Sequence, residues 1–141
     1  MGRLGMVVLL ATVVACSSPP DDQQRIERRI AAMIEALESG GISNFMAPVA
    51  DDFTGANGRL DRRSLGLLAR RERISRTEIS IQRLGTEIEL VGSDRARATI
   101  RALATGGSGL IPDEGRVWRI QTGWRLDDEW MLISADWEPV I

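Results

Sequence analysis

The chain predicts an α+β domain, with helices first and a run of antiparallel strands after them. Apolar residues recur at helical spacing from Ile26 to Leu68, and beyond Ile74 the period falls to two. Glycine- and aspartate-rich turns separate the alternating segments, and no internal repeat is visible. Helices grouped ahead of strands in this way segregate onto one face of a twisted sheet. A length of 141 residues supports one such domain.

The first helix carries Ile26, Ile30, Met33, Ile34 and Leu37 on one stripe, with Arg25, Glu27, Arg28, Arg29, Glu35 and Glu38 around the rest of the wheel. Asp21 or Asp22 caps its start, and Gly40-Gly41 supplies a left-handed stop. A second, short helix is expected over Ile42 to Ala50, capped by Ser43, with Phe45, Met46 and Val49 as contacts and Pro48 limiting it. The pair Asp51-Asp52 reads as a helix terminus that starts a turn, followed by the loop Gly55-Ala56-Asn57-Gly58. Asp61 caps a third helix from Arg62 to about Arg73, with Leu65, Leu68 and, as a further candidate, Leu67 facing inward.

Strands follow. Ile79 and Ile81 alternate with Glu78, Ser80 and Gln82, and Ile88 and Leu90 alternate with Glu87 and Glu89. Gly85 is expected as a turn between them, and Val91-Gly92-Ser93-Asp94 as the next. Ala96, Ala98, Ile100 and Ala102 then alternate with Arg95, Arg97, Thr99 and Arg101. Thr105 to Gly115 holds Gly106-Gly107-Ser108-Gly109 and Pro112, and is expected as a loop able to cover a cavity mouth. It lacks the Gly-Lys-Ser/Thr ending of a phosphate-binding loop. Trp118, Ile120, Thr122, Trp124 and Leu126 line one face of the next strand, and Asp127-Asp128-Glu129 turns the chain into the last, Trp130 to Trp137.

A chain that is 43% hydrophobic and 27% charged has the balance of a globular domain. Four Trp and two Phe are its aromatics; His and Tyr are absent, so no mechanism here uses an imidazole or a phenol. The single cysteine, Cys16, excludes an internal disulfide and a Cys/His zinc cage, and no metal or cofactor is expected. All 18 basic residues are Arg, interleaved with acidic ones instead of forming a block. That pattern argues against binding nucleic acid or an anionic lipid surface.

The N-terminus reads as an address. Arg3 precedes an uncharged run from Leu4 to Val14, and Ala15 stands before Cys16. These are the charged, apolar and small-residue regions of a secretory signal, too short for a transmembrane helix. Val13-Val14-Ala15-Cys16 resembles the lipobox of bacterial lipoproteins, which implies cleavage after residue 15 and acylation of Cys16. Residues 16–23, with Ser17-Ser18-Pro19-Pro20-Asp21-Asp22, then form a polar tether. Ser17-Ser18 lack the aspartate that marks inner-membrane retention, so the expected location is the cell envelope, at the outer membrane facing the periplasm. Losing Arg3 makes the mature chain one unit more negative than the −2 of the whole.

Three segments together resemble the nuclear transport factor 2-like (SnoaL-like) superfamily. They are Ala36-Leu37-Glu38-Ser39-Gly40-Gly41 closing the first helix, the Asp51-Asp52-Phe53 step, and the hairpin Trp124-Arg125-Leu126-Asp127-Asp128-Glu129-Trp130-Met131-Leu132-Ile133. The resemblance assigns residues 24–141 to this domain and implies a cystatin-like cone, in which N-terminal helices pack on a curved, mainly antiparallel sheet around a cavity. Some members are isomerase-like, cyclase-like or dehydratase-like enzymes, others bind ligands, and pairing through the sheet is common. The isomerase-like site uses tyrosine and the dehydratase-like site histidine, so neither set carries over onto this chain.

Two carboxylates, Asp52 and Asp136, are the weak candidates for a general base. Each has a plainer reading: Asp51-Asp52 as a boundary pair, and Asp136 as a solvent-facing residue opposite in parity to Ile133, Ala135 and Trp137. Phe53, Trp118, Ile120 and Trp124 are candidate pocket residues, or simply core. Arg95, Arg97 and Arg101 would clamp an anion, or pair across strands with Glu87 and Glu89. The expectation is therefore a lipid-anchored, non-catalytic domain binding a small apolar ligand or a protein partner. An enzyme with one pocket Asp, and a structural envelope homodimer, are the alternatives.

Overall fold

The computed structural model describes Gly2 and residues 21–75, 78–107 and 115–140. Cys16, the signal segment, residues 17–20 of the tether and residues 108–114 of the expected covering loop lie outside the described residues. Among the described residues, no helix is long and apolar enough to cross a membrane.

Helix α1 (Asp22–Ser39) starts at the expected cap, where the Asp21 side chain accepts the Gln24 N–H at 2.8 Å. It buries Ile26, Ile30, Met33 and Ala36 and ends at Gly40, whose φ of 81° suits glycine. Helix α2 (Ile42–Met46) is shorter than expected, since Pro48 and the strand that starts at Val49 stop it. Strand β1 (Val49–Gly55) replaces the expected helix terminus and turn at Asp51-Asp52. The two aspartates are both exposed while Val49, Ala50, Phe53 and Gly55 are buried, which breaks the alternation by which a strand is recognised. A register shift between Val49 and Thr54 against β6 accounts for that break.

The turn at residues 56–59 leads to β2 (Leu60–Asp61) and α3 (Arg62–Ser75). Asp61 caps α3 as expected, accepting the Ser64 N–H at 2.8 Å. Leu65 and Ala69 are buried, whereas Leu67 is 55% exposed and does not face the core.

Strand β3 (Glu78–Val91) is one continuous strand, and Gly85 is not a turn. A bulge between Arg83 and Gly85 shifts the register on β4 (Arg95–Gly107), so the inward parity passes from Ile79 and Ile81 to Ile88. β4 runs on through Gly106 and Gly107, past the expected start of the loop. Strands β5 (Arg116–Leu126) and β6 (Trp130–Pro139) complete a sheet in the order β2-β1-β6-β5-β4-β3. Every pairing is antiparallel except β1 with β6. The fold is thus α+β with a mixed, mainly antiparallel sheet.

The helices cover one sheet face, and α1 packs across β3. Ala96, Ala98 and Ala102 of β4 sit opposite Trp124, Thr122 and Trp118 of β5 on that face. Three short side chains in the middle of the sheet leave room there for two indoles and for the helices above.

Candidate functional site

Apolar side chains from both layers surround a cavity of about 290 Å³ between the helices and the sheet. Ile30, Met33, Ile34 and Leu37 of α1 and Phe45 of α2 form the roof. Ile100 and Ala102 of β4, Ile120 and Trp124 of β5, and Leu132, Ala135 and Trp137 of β6 form the floor. The volume is at the lower end of the ~300–1,000 Å³ range of small-molecule sites. It equals roughly ten waters at about 30 Å³ each.

Polar groups in this wall are few, and the deepest is already engaged. Thr122 donates its hydroxyl to the Ala98 carbonyl at 2.9 Å and accepts the Trp124 indole N–H at 2.8 Å. Among the described residues, no buried side-chain nitrogen or oxygen lacks a hydrogen-bond partner. The interior therefore asks for no hydrogen bond from an occupant. Leu65, Leu68 and Ala69 of α3 continue the wall, and the next residue on their helical stripe is Glu72. Sequence reading passed over Glu72; its spacing of seven from Leu65 was the available signal.

Of the expected pocket residues, Ile120 and Trp124 line the cavity, but Phe53 and Trp118 do not. Phe53 is 1% exposed and fills the core beneath β1, its ring against the backbone of Gly55. Trp118 lies farther along β5, half-buried, with the Arg116 guanidinium carbon 5.9 Å from its ring centroid.

Neither candidate carboxylate reaches the cavity. Asp52 is exposed on β1 and binds Arg125 through both oxygens, at 2.7 and 3.1 Å. That charge-assisted fork holds its carboxyl below the usual carboxylate range and raises the guanidinium further, the opposite of what a general base at neutral pH needs. Arg125 also holds Asp127 in the β5–β6 turn, at 2.9 Å. Asp136 accepts the N–H of Asn57 at 2.7 Å, which steadies a turn residue with φ of 57°. Its neighbours Ala135 and Trp137 face the cavity and it faces away. Asp51 lies instead on a polar hollow of about 690 Å³ between α2 and α3, with Asp61, Arg63 and Arg70.

Arg95, Arg97 and Arg101 project from the outer sheet face, away from the cavity. Arg97 stands directly opposite Glu89, while Glu87 faces Thr99 and Gly85 faces Arg101. Cross-strand pairing therefore fits Arg97 alone. Among the described residues, ion pairs tie α1 to the β5–β6 turn, through Arg29 with Glu129, and to β3, through Glu27 with Arg83. Among the described residues, no cluster of acidic, His or Cys side chains is placed to hold a metal ion.

No family model and no curated protein sequence matches the chain. Solved structures do. A candidate dehydratase of the NTF2-like family from Streptomyces avermitilis superposes with a TM-score of 0.74 at 16% identity, covering 85% of this chain and 97% of that one. A Caulobacter vibrioides protein with a cystatin-like fold gives 0.73 at 13% identity, over 85% and 90% of the two chains. A candidate scytalone dehydratase from Novosphingobium aromaticivorans gives 0.67 at 14% identity, over 84% of each. The chain has the nuclear transport factor 2-like, cystatin-like fold, a fold found in enzymes and in proteins without assigned activity.

Proposed function

We propose that this domain is a binding protein for a small apolar molecule, held in the cone between helices and sheet. The carrying observation is the cavity of about 290 Å³, whose walls are apolar apart from Thr122 and Glu72, and among the described residues no buried side-chain polar atom lacks a hydrogen-bond partner. Such a site favours an occupant through burial alone, at about 25 cal/mol for each Å² of apolar surface removed from water. Two structural neighbours are candidate dehydratases. The reading as an enzyme with one pocket Asp requires that group inside the cone, and Asp52 and Asp136 both lie outside it.

The sequence adds an address to this reading. The Leu4 to Cys16 segment supports export and acylation at Cys16, which would hold the domain at the periplasmic side of the envelope. Cys16→Ala, or globomycin treatment, should then abolish processing and release the protein from the membrane fraction. Unchanged fractionation would remove the anchor from the proposal.

Binding itself is tested on protein purified with its native envelope. Solvent extraction followed by mass spectrometry should recover one dominant small apolar species near stoichiometric amount. Protein that repeatedly emerges empty, and whose melting temperature no apolar compound raises, would sink the binding reading.

A further inference from the structure

We propose that the outer face of α3 docks on an anionic phospholipid surface. The inference goes beyond the cavity and does not depend on what fills it. Leu65, Leu68 and Ala69 form the inner stripe of α3 and line the cavity. Arg63, Leu67, Arg70 and Ile74 follow the i, i+4, i+7, i+11 spacing of the opposite side, with Arg71 beside them. All five are exposed, Leu67 at 55% and Ile74 at 86%. A lone exposed leucine is ordinary. Two aliphatic side chains on one stripe among three arginines make a basic, apolar ridge roughly 16 Å long.

Charge separates at this helix. The chain as a whole carries −2 and interleaves its charges, the pattern that argues against an anionic lipid. Arg62–Ser75 breaks it with five Arg against one Glu, which leaves the rest of the chain six units negative. Arg62 and Arg73 serve the fold: Arg62 donates to the Val49 and Met46 carbonyls, and Arg73 lies against Gly40. Arg63 and Arg70 flank the polar hollow that also holds Asp51 and Asp61, and Asp61 is engaged as the cap of α3. Among the described residues, Arg70 and Arg71 make no ion pair.

The chemistry selects the occupant. Guanidinium forks match phosphate oxygens, and an exposed aliphatic side chain gains by leaving water among acyl chains. A ridge needs no complementary groove on a lipid surface, because head groups rearrange around it. Each arginine near such a surface favours it about fivefold. Acylation at Cys16, as proposed above, would hold Asp22 within roughly 20 Å of a bilayer, the extended reach of the residues between. Contacts of this strength then act at high local concentration.

Full-length protein purified from its envelope is reconstituted with vesicles of phosphatidylcholine, or of phosphatidylcholine and phosphatidylglycerol in equal parts, and deuterium uptake is followed by mass spectrometry. Residues 62–75 should exchange about tenfold more slowly on the anionic vesicles than on the neutral ones, and molar salt should remove the difference. The double variant Arg70→Glu/Arg71→Glu should lose that protection, while Arg70→Lys/Arg71→Lys keeps most of it. Residues 22–39 report the fold and should exchange alike in all three proteins. Equal exchange of residues 62–75 on both vesicles, or protection that the glutamate variant retains, would overturn the proposal. Protection that needs no vesicles and grows with protein concentration would assign this face to a second copy and overturn the lipid reading. The cavity is untouched by any of these results, since its own test is the extraction of an occupant.

Discussion

Thr122 sits where the apolar face of β5 must also accommodate an indole nitrogen. Its hydroxyl accepts from Trp124 Nε1 and donates to Ala98, so a tryptophan that is 1% exposed keeps its donor paired. Thr122→Val preserves volume and leaves that N–H without an acceptor. The expected cost is about 2 kcal/mol, seen as a lower urea midpoint at unchanged slope. Asp52 offers a different test. Arg125 depresses its carboxyl in the folded state, so the pair's stabilisation is complete above the ordinary value of 3.8 and is lost as pH falls through the depressed one. The melting temperatures of Asp52→Asn and wild type should differ slightly at neutral pH and converge in strong acid. A gap that persists unchanged into strong acid would contradict the assignment. Neither contact is written in the residues concerned. A threonine 24 positions beyond an alanine carbonyl, or an aspartate 73 positions before an arginine, acquires its partner only when strands are placed together in the fold.

At the scale of elements, the helices were legible because their signals are local. The Ile26–Ile30–Met33 stripe, the aspartate caps and Gly40 each act within one or two turns of the chain. The two misread elements share a cause. β1 hides its period behind the adjacent Asp51 and Asp52, and β3 hides its continuity behind a bulge at Gly85. Bulges are set by the partner strand, so single-sequence periodicity breaks where they occur. Gly55 shows how tightly β1 is seated. A Cβ there would lie 2.9 Å from the Phe53 ring and 3.0 Å from the Ala135 carbonyl oxygen. Gly55→Ala should therefore cost about 2 kcal/mol in denaturant unfolding, as overpacking does.

Across the whole molecule, a mixed sheet and three described helices enclose a space that no single element contains. Ala102, 2% exposed in β4, faces that space. Ala102→Leu should fill part of it, leaving the melting temperature of the empty protein unchanged or raised while weakening n-octanol binding by about tenfold. Equal binding by that variant would place the occupant elsewhere. The outer face of the sheet carries charge on every strand that bears Arg95, Arg97, Arg101 or Arg119, with Glu138 bound to Arg119 at 3.0 Å. The homodimer reading would have to bury these arginines, a costlier interface than an apolar one.

Composition and order by themselves determined the class of fold, the absence of imidazole, phenol and metal-cage chemistry, and the candidate anchor at Cys16. Each follows from residue identity or short-range period, which do not depend on what lies across the molecule. Only tertiary structure decided that Asp52 and Asp136 hold a guanidinium and a turn, and that Phe53 is core while Trp124 is wall. It alone brought Glu72 to the cavity lining. A side chain's work is set by its neighbours, and for these residues the neighbours arrive from other elements of the sheet and from the helices laid over it.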